Sequence, residues 1–386
     1  MKKIAILSLH MNYGGVEKAV ATLANMLVDN YKVEIICTYK IHNKPVYNVD
    51  DRVKIKYLIP YGPNKKEIKE SLKKFKLITL FKEGIKAIKT LYLRKSTMIN
   101  YIKSSNADII ISTRVLFTDL LSKYGKENTI KIAQEHRHHL NDSKYIENLN
   151  TACKNIDYLL PVSKELTDYY SANLEGKVKC YHMPNSLDNI PEINSDYSAN
   201  VVTVGRLSKE KGFDDLIDIF KKVVDKNSEH KLEIIGDGPE RDNLEKKIYD
   251  LNLSDNVILH GFQNKDYINS VLSKSTMFIV TSHTESFGIA LLEGMSYALP
   301  GIIFDTATGS LELVENNVNG YVVKSRSKDV MAKKIINLLD DKKMIKKMGL
   351  AGKEISKKYS FEEVKVRWLE FLDNVIKDNG DLNEKN

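Results

Sequence analysis

Short β-branched runs alternate with longer amphipathic runs along almost the whole chain, and few folds accept that order. Strand-like segments stand at Lys3–Leu9, Lys32–Tyr39, Val53–Leu58, Ala107–Thr113, Lys131–His136 and Tyr158–Ser163. A second series follows at Val201–Leu207, Lys231–Gly236, Val257–Gly261, Thr276–Ser282, Pro300–Asp305 and Gly320–Val323. Between them apolar residues recur at helical spacing, as in Val16, Val20, Leu23, Leu27 and in Leu216, Ile219, Phe220, Val223. Strands that are apolar throughout are covered on both faces, as in parallel sheets flanked by helices. Two such series predict two doubly wound, Rossmann-like α/β domains with a cleft between their strand ends.

The polar, Pro-containing stretch NSLDNIPEINSDYSAN separates the two series. The expected organisation is a first domain over 1–185, a linker over 186–200 and a second domain over 201–360. A terminal crossover helix over 361–377, with Val364, Trp368, Phe371, Leu372 and Val375 on one face, should dock back on the first domain, leaving 378–386 as a frayed polar tail. At 386 residues and 42% hydrophobic, the chain has material for two large cores and is not a disordered chain. Its three cysteines, Cys37, Cys153 and Cys180, are widely spaced and fit neither a disulfide framework nor a zinc site. The start, MKKIAILSLHMNYGG, reads as a first strand rather than a signal peptide, and no run of 18 apolar residues follows. The expected location is cytoplasmic.

Four clusters have the chemistry of a ligand site. His10–Glu17 places Gly14 and Gly15 between the first strand and the first helix, where backbone N–H groups can approach an anion. A plain strand–helix turn explains it equally well. Gly205–Gly212 follows the first strand of the second half. There Arg206 offers a fork of donors and Lys211 a compact charge, a pair suited to a diphosphate, although a solvated charged turn has the same composition. Gly236-Asp237-Gly238-Pro239-Glu240 alone is a good turn. The most informative cluster is Thr284–Met295: Glu285 in a loop, Ser286, Phe287 and Gly288 at a helix start, and Glu293 inside an otherwise apolar helix. A carboxylate in such a helix needs a partner, and sugar or ribose hydroxyls would supply one.

In this order the motifs GRLSKEKGFDDLI, IIGDGPE, HGF (with Gly261 and Phe262) and ESFGIALLEGM followed by ALP resemble family 4 glycosyltransferases of the GT-B fold. GG-x-E at Gly14–Glu17 and QEH at Gln134–His136 match the acceptor-side half more loosely. The resemblance implies retaining transfer of a sugar from a nucleotide diphosphate donor, with UDP the favoured nucleotide. Arg206 and Lys211 match the pair that holds the diphosphate, and Glu285 and Glu293 the E-x7-E pair for sugar and ribose hydroxyls. The Ser286–Gly288 backbone would face the sugar, Gly15 the phosphate from across the cleft, and His136 the sugar and incoming hydroxyl. Gly205, Gly236, Gly238, Gly261 and Phe262 fall in the donor-side loops. No aspartate has another two residues on, so the Asp-x-Asp metal site of other transferases is missing from the sequence and metal-independent transfer is expected, with no cofactor. The chain departs from the family at Ala298, where a Gly usually stands two residues before the Pro, and at Thr308-Gly309, where Gly-Gly is usual.

Charge is unevenly placed. The net charge is +8, and between Lys65 and Lys95 eleven basic residues stand against three acidic ones, which is the same net value. Through that span Ile68, Leu72, Phe75, Ile78, Phe81, Ile85, Ile88 and Leu91 recur every three or four residues, a basic amphipathic helix or helix pair. Two readings follow. The stripe packs on the first domain's sheet, or it lies on an anionic membrane. Nucleic acid is not an expected partner, since few aromatics and no nucleic-acid motif accompany the charge. The overall expectation is a membrane-peripheral transferase acting on a lipid-linked saccharide for a bacterial surface polysaccharide. The alternatives are a non-catalytic GT-B subunit and a soluble enzyme with a small sugar or sugar-phosphate acceptor.

Overall fold

The computed structural model of the chain describes residues 1–174, 176–192 and 200–383. It divides into two compact units: one of residues 1–162, 167–183 and 368 onward, the other of 163–166 and 184–367.

Among the described residues the first unit holds seven strands: β1 (Lys3–Ser8), β2 (Lys32–Tyr39), β3 (Lys54–Ile59), β4 (Ile109–Ser112), β5 (Ile130–Glu135), β6 (Tyr158–Pro161) and β7 (Lys179–Cys180). They form one sheet in the order β3-β2-β1-β4-β5-β6-β7, parallel throughout. The second unit holds β8 (Asn200–Val204), β9 (Lys231–Ile235), β10 (Val257–Leu259), β11 (Met277–Val280), β12 (Gly301–Phe304) and β13 (Gly320–Val323), in the order β10-β9-β8-β11-β12-β13. Its ladders are parallel too. In each sheet the strand order reverses beside the first strand, between β1 and β4 and between β8 and β11. At such a switch point the following loops diverge and open a crevice at the carboxyl ends.

The sequence dictates these sheets through burial. Ile4, Ile6 and Leu7 of β1 and Ile109–Ile111 of β4 are buried on both faces. In the second unit the helix Phe213–Lys226 turns Leu216, Ile217, Ile219, Phe220 and Val223 into a core with Leu232, Ile234, Met277 and Ile279. Asp214 and Asp215 in its first turn complement the helix dipole.

Several expected boundaries move. Several strands end a residue or more before the expected carboxyl end, so His136, Leu207, Gly236, Gly261 and Ser282 stand in loops. The two-residue β7 carries no periodicity and forms by pairing with β6. Of the expected linker, 193–199 lies outside the described residues. Its first part belongs to the second unit: Leu187 is buried and its N–H donates to Tyr359 O at 2.8 Å, while Asp188 pairs with Lys265. The terminal helix is Phe361–Asn383, not 361–377, so most of the expected tail is helical; 384–386 lies outside the described residues. Its last turns need no apolar stripe, because Asp378 pairs with Lys179 (3.6 Å) and Asn379 donates to Val375 O (2.8 Å). From Trp368 onward the helix belongs to the first unit, with Trp368 and Leu372 buried and Phe371 edge-on to Tyr158. The basic segment is a helix pair, Lys65–Lys73 and Leu77–Ser104.

Candidate active site

In the second unit the predicted donor residues stand in the loops after β8, β9, β10 and β11, around the switch point. After β8 the chain passes Gly205 and Arg206 and tightens into a 3-10 turn over Lys209–Lys211. Arg206 reaches into solvent, and its guanidinium pairs with Glu210 at 2.5 Å. Burial would raise the Glu210 carboxyl, but hydrogen bonds from Ser208 and Arg206 outweigh it and hold it at about 2. Lys211 Nζ lies 2.6 Å from Glu285 Oε1, a mostly buried pair, and Ser282 Oγ donates to the same oxygen at 2.7 Å. Thr281 Oγ1 donates to Lys211 O at 3.2 Å and fixes the β8 loop to the end of β11. Lys211 and Glu285, 74 residues apart in the chain, are thus brought into one cluster.

The β9 loop closes the other side. Leu207 N–H donates to Asp237 O (3.0 Å) and Glu240 N–H to Leu207 O (3.0 Å). Gly236 has φ +144°, and a Cβ on it would run into Gly205 O; only glycine allows this approach. Gly238 and Gly261 stand in the same loops, the latter accepting from Gly236 N–H at 2.9 Å, and Phe262 beside it is exposed.

After β11, Glu285, Ser286 and Phe287 lead to Gly288, which caps the helix Ile289–Ser296 at φ +88° against Ser310. The Phe287 side chain is buried and packs on Tyr359, so this residue has only its backbone to offer a ligand. Glu293 is half-buried, five residues into the helix. Thr308-Gly309 forms a turn beneath the loop, with Gly309 N–H donating to Glu285 O at 3.1 Å. Ala298 has φ +59°, the left-handed conformation that glycine adopts most easily.

In the first unit, Gly14 precedes and Gly15 opens the helix Gly15–Leu27 after β1. Gly14 N–H donates to Tyr47 Oη at 3.1 Å, and no atom lies within 4 Å of where a Cβ on Gly15 would stand. Glu17 folds back over Gly14, buried, and pairs with Arg114 Nη2 at 2.5 Å, with His10 Nδ1 3.6 Å away. His136 follows β5. Burial, then the nearby Arg114 charge, pushes its imidazole down to about 4, so it is neutral at pH 7, and its Nε2 has no hydrogen-bond partner among the described residues. Burial pushes the adjacent Glu135 carboxyl up to about 7, against hydrogen bonds from Arg137 N–H and Tyr145.

Three participants escaped the sequence reading: Arg114, Ser282 and Arg326. Arg326 Nη1 donates to Ser282 O (3.0 Å) and Thr306 Oγ1 (2.9 Å), and its Nη2 donates to Thr281 O (3.0 Å) and pairs with Asp215. Arg114 and Ser282 each lie two residues beyond an apolar strand, a position that is itself a signal. Arg326 gives none, because it is brought in by tertiary packing.

The chain is similar to known glycosyltransferases. Residues 189–355 match the family described as Glycosyl transferases group 1. An amylovoran biosynthesis glycosyltransferase of Erwinia amylovora is 27% identical over 94% of this chain and 96% of its own length. An exopolysaccharide phosphotransferase of Streptomyces coelicolor is 23% identical over 97% of this chain, but the chain spans only 41% of that relative. The fold matches that of Staphylococcus aureus TarM, solved with UDP and alpha-GlcNAc-glycerol, at a TM-score of 0.76 over 96% of this chain and 99% of that one, with 17% identity. Two parallel α/β sheets with a charged loop cluster at a switch point, and a family match across that cluster, lead to one conclusion: the chain has the GT-B fold, and its residues 189–355 match the group 1, or family 4, glycosyltransferases.

Proposed function

We propose that this enzyme moves a sugar from a nucleotide diphosphate, with UDP the favoured carrier, with retention and without a metal ion, to a lipid-linked saccharide of a bacterial surface polysaccharide. The observation that carries the reading is the Lys211–Glu285 pair beside Arg206. Each cation rests on a carboxylate, Arg206 on Glu210 and Lys211 on Glu285. A diphosphate offers the same kind of anionic oxygen to both. As the bond from the anomeric carbon to the diphosphate breaks, negative charge grows on the leaving oxygen. Fixed cations there act more strongly in the transition state than on the bound donor. Glu285, released from Lys211, accepts from donor-sugar hydroxyls and Glu293 from the ribose. The N–H groups of Ser286, Phe287 and Gly288 face the sugar, and those of Gly14 and Gly15 the phosphates. The neutral His136 stands by the sugar and the incoming hydroxyl. The UDP in the TarM structure supports the choice of nucleotide, and the amylovoran and exopolysaccharide relatives support the pathway class. The enzyme would work in the cytoplasm, at the inner face of the membrane.

Lys211→Ala should lower kcat for transfer from a UDP-sugar in EDTA by ~10²–10³. Undiminished kcat in that variant would remove Lys211 from the site and the proposal with it.

A further inference from the structure

The helix pair at 65–104 is built inside out. In a helix that packs on a soluble domain the large apolar residues face inward and the polar ones outward. Here the small polar residues Asn64, Ser71 and Thr90 are buried, and Gly84 and Ala87 are half-buried. The buried polar groups are satisfied locally: Ser71 Oγ donates to Glu67 O (2.7 Å), Thr90 Oγ1 to Lys86 O (2.7 Å) and Asn64 Nδ2 to Glu83 O (2.9 Å). The large apolar residues are outside. Phe75 is 88% exposed, Ile78 77% and Phe81 71%, with Ile85 and Ile88 continuing the same stripe at spacings of four and three. The large side chains of the long helix that are buried stand at its far end, at Met98, Tyr101 and Ile102. The structure therefore contradicts packing of the whole stripe on the sheet.

The turn between the helices is unusual as well. Phe75 N–H donates to Leu72 O and Lys76 N–H to Ser71 O, the two bonds of a helix end that normally carries glycine. The residue in the left-handed position is Phe75, at φ +48°. A bulky side chain there strains the backbone and, being exposed, gains no packing in return.

We propose that this hairpin docks the chain on an anionic lipid bilayer, with Phe75 and the stripe Ile78, Phe81, Ile85 entering the acyl boundary. Lysines flank the stripe, and Lys74, Lys76 and Lys82 are all exposed. The net charge of +8 between Lys65 and Lys95 selects the occupant. A second copy of this chain would bring an equal positive charge against the face and be repelled, whereas anionic headgroups neutralise it while the acyl region takes up the apolar side chains. The inference concerns binding alone, so it stands or falls separately from the transfer reaction.

The full chain is sedimented with vesicles of phosphatidylcholine alone and with roughly one-third phosphatidylglycerol, at low salt and at ~0.5 M salt. Binding is expected only to the phosphatidylglycerol vesicles and to weaken at high salt. Each lysine contributes about fivefold near the surface, so Lys74→Gln, Lys76→Gln and Lys82→Gln together should weaken binding about a hundredfold. Phe75→Gly should weaken it at least about tenfold while leaving the melting temperature unchanged or raised, because glycine relieves the turn. No binding to phosphatidylglycerol vesicles, or equal binding to neutral ones, would overturn the proposal. So would self-association by light scattering that Phe75→Gly abolishes, which would assign the face to a second copy.

Discussion

Ala298 and Gly288 take the same left-handed backbone region, one with a methyl group and one without. At Ala298 the conformation costs about 1–2 kcal/mol, but a glycine there would give up a buried methyl, about 0.8 kcal/mol, and carry about 0.5–1 kcal/mol of chain entropy. The terms nearly cancel. Ala298→Gly should change urea-unfolding stability by less than about 1 kcal/mol, which accounts for alanine where the family usually has glycine. Gly288 has no such compensation, since a Cβ would meet Ser310 Oγ. Gly288→Ala should cost about 2 kcal/mol or more in the same experiment. His136 belongs to this scale too. Its folded value of about 4 lies below the ordinary imidazole value, so the native state binds fewer protons than the unfolded chain in between. Stability is intact above pH ~6.5 and is lost as pH falls through that window. Between pH 6.5 and 5 the enzyme should lose about 2 kcal/mol more than a His136→Gln variant. Glu135, raised to about 7, gives the opposite slope but titrates in both proteins and drops out of the difference.

At the level of elements, the candidate site is a set of loops held by strand ends. Arg326 ties the end of β11 to the loop after β12 and to Asp215 at the start of the helix Phe213–Lys226. Breaking a mostly buried pair of this kind costs about 3 kcal/mol, less here for its partial exposure. Arg326→Gln should lower stability by about 2 kcal/mol and raise the donor KM more than it lowers kcat, because the cluster loosens while Lys211 remains. Steady-state kinetics with urea unfolding checks both. The strands were legible in the sequence because burial on both faces demands unbroken apolar runs, which the order of residues reveals without an alignment. The motif loops were legible because Gly205, Arg206, Lys211 and Glu285 follow directly on such runs. Arg326 was not, since its role depends on three other segments folding around it. The helix pair at 65–104 was legible as amphipathic, but the side on which the apolar stripe falls is set by Asn64, Ser71 and Thr90, and periodicity cannot distinguish the two outcomes.

At the scale of the whole molecule, the chain returns to its first unit through the helix Phe361–Asn383. Trp368, Phe371, Leu372 and Val375 are buried, each worth roughly 1.5–3 kcal/mol, so the first unit is incomplete without them. Ending the chain at Arg367 should expose Tyr158 and speed hydrogen exchange in β6 while β8 and β9 keep their protection. The proposed donor site is built on Arg206 and Lys211 and needs no metal. The most direct measurement is thermal unfolding in EDTA with UDP, GDP or ADP, on the enzyme and on Arg206→Ala. UDP at ~100 times its Kd should add about 2.7 kcal/mol, a clear rise in Tm. The shift should be smaller with the other nucleotides and lost in the variant. A chain that no nucleotide stabilises in EDTA, or an Arg206→Ala variant stabilised as well as the parent, would contradict the account.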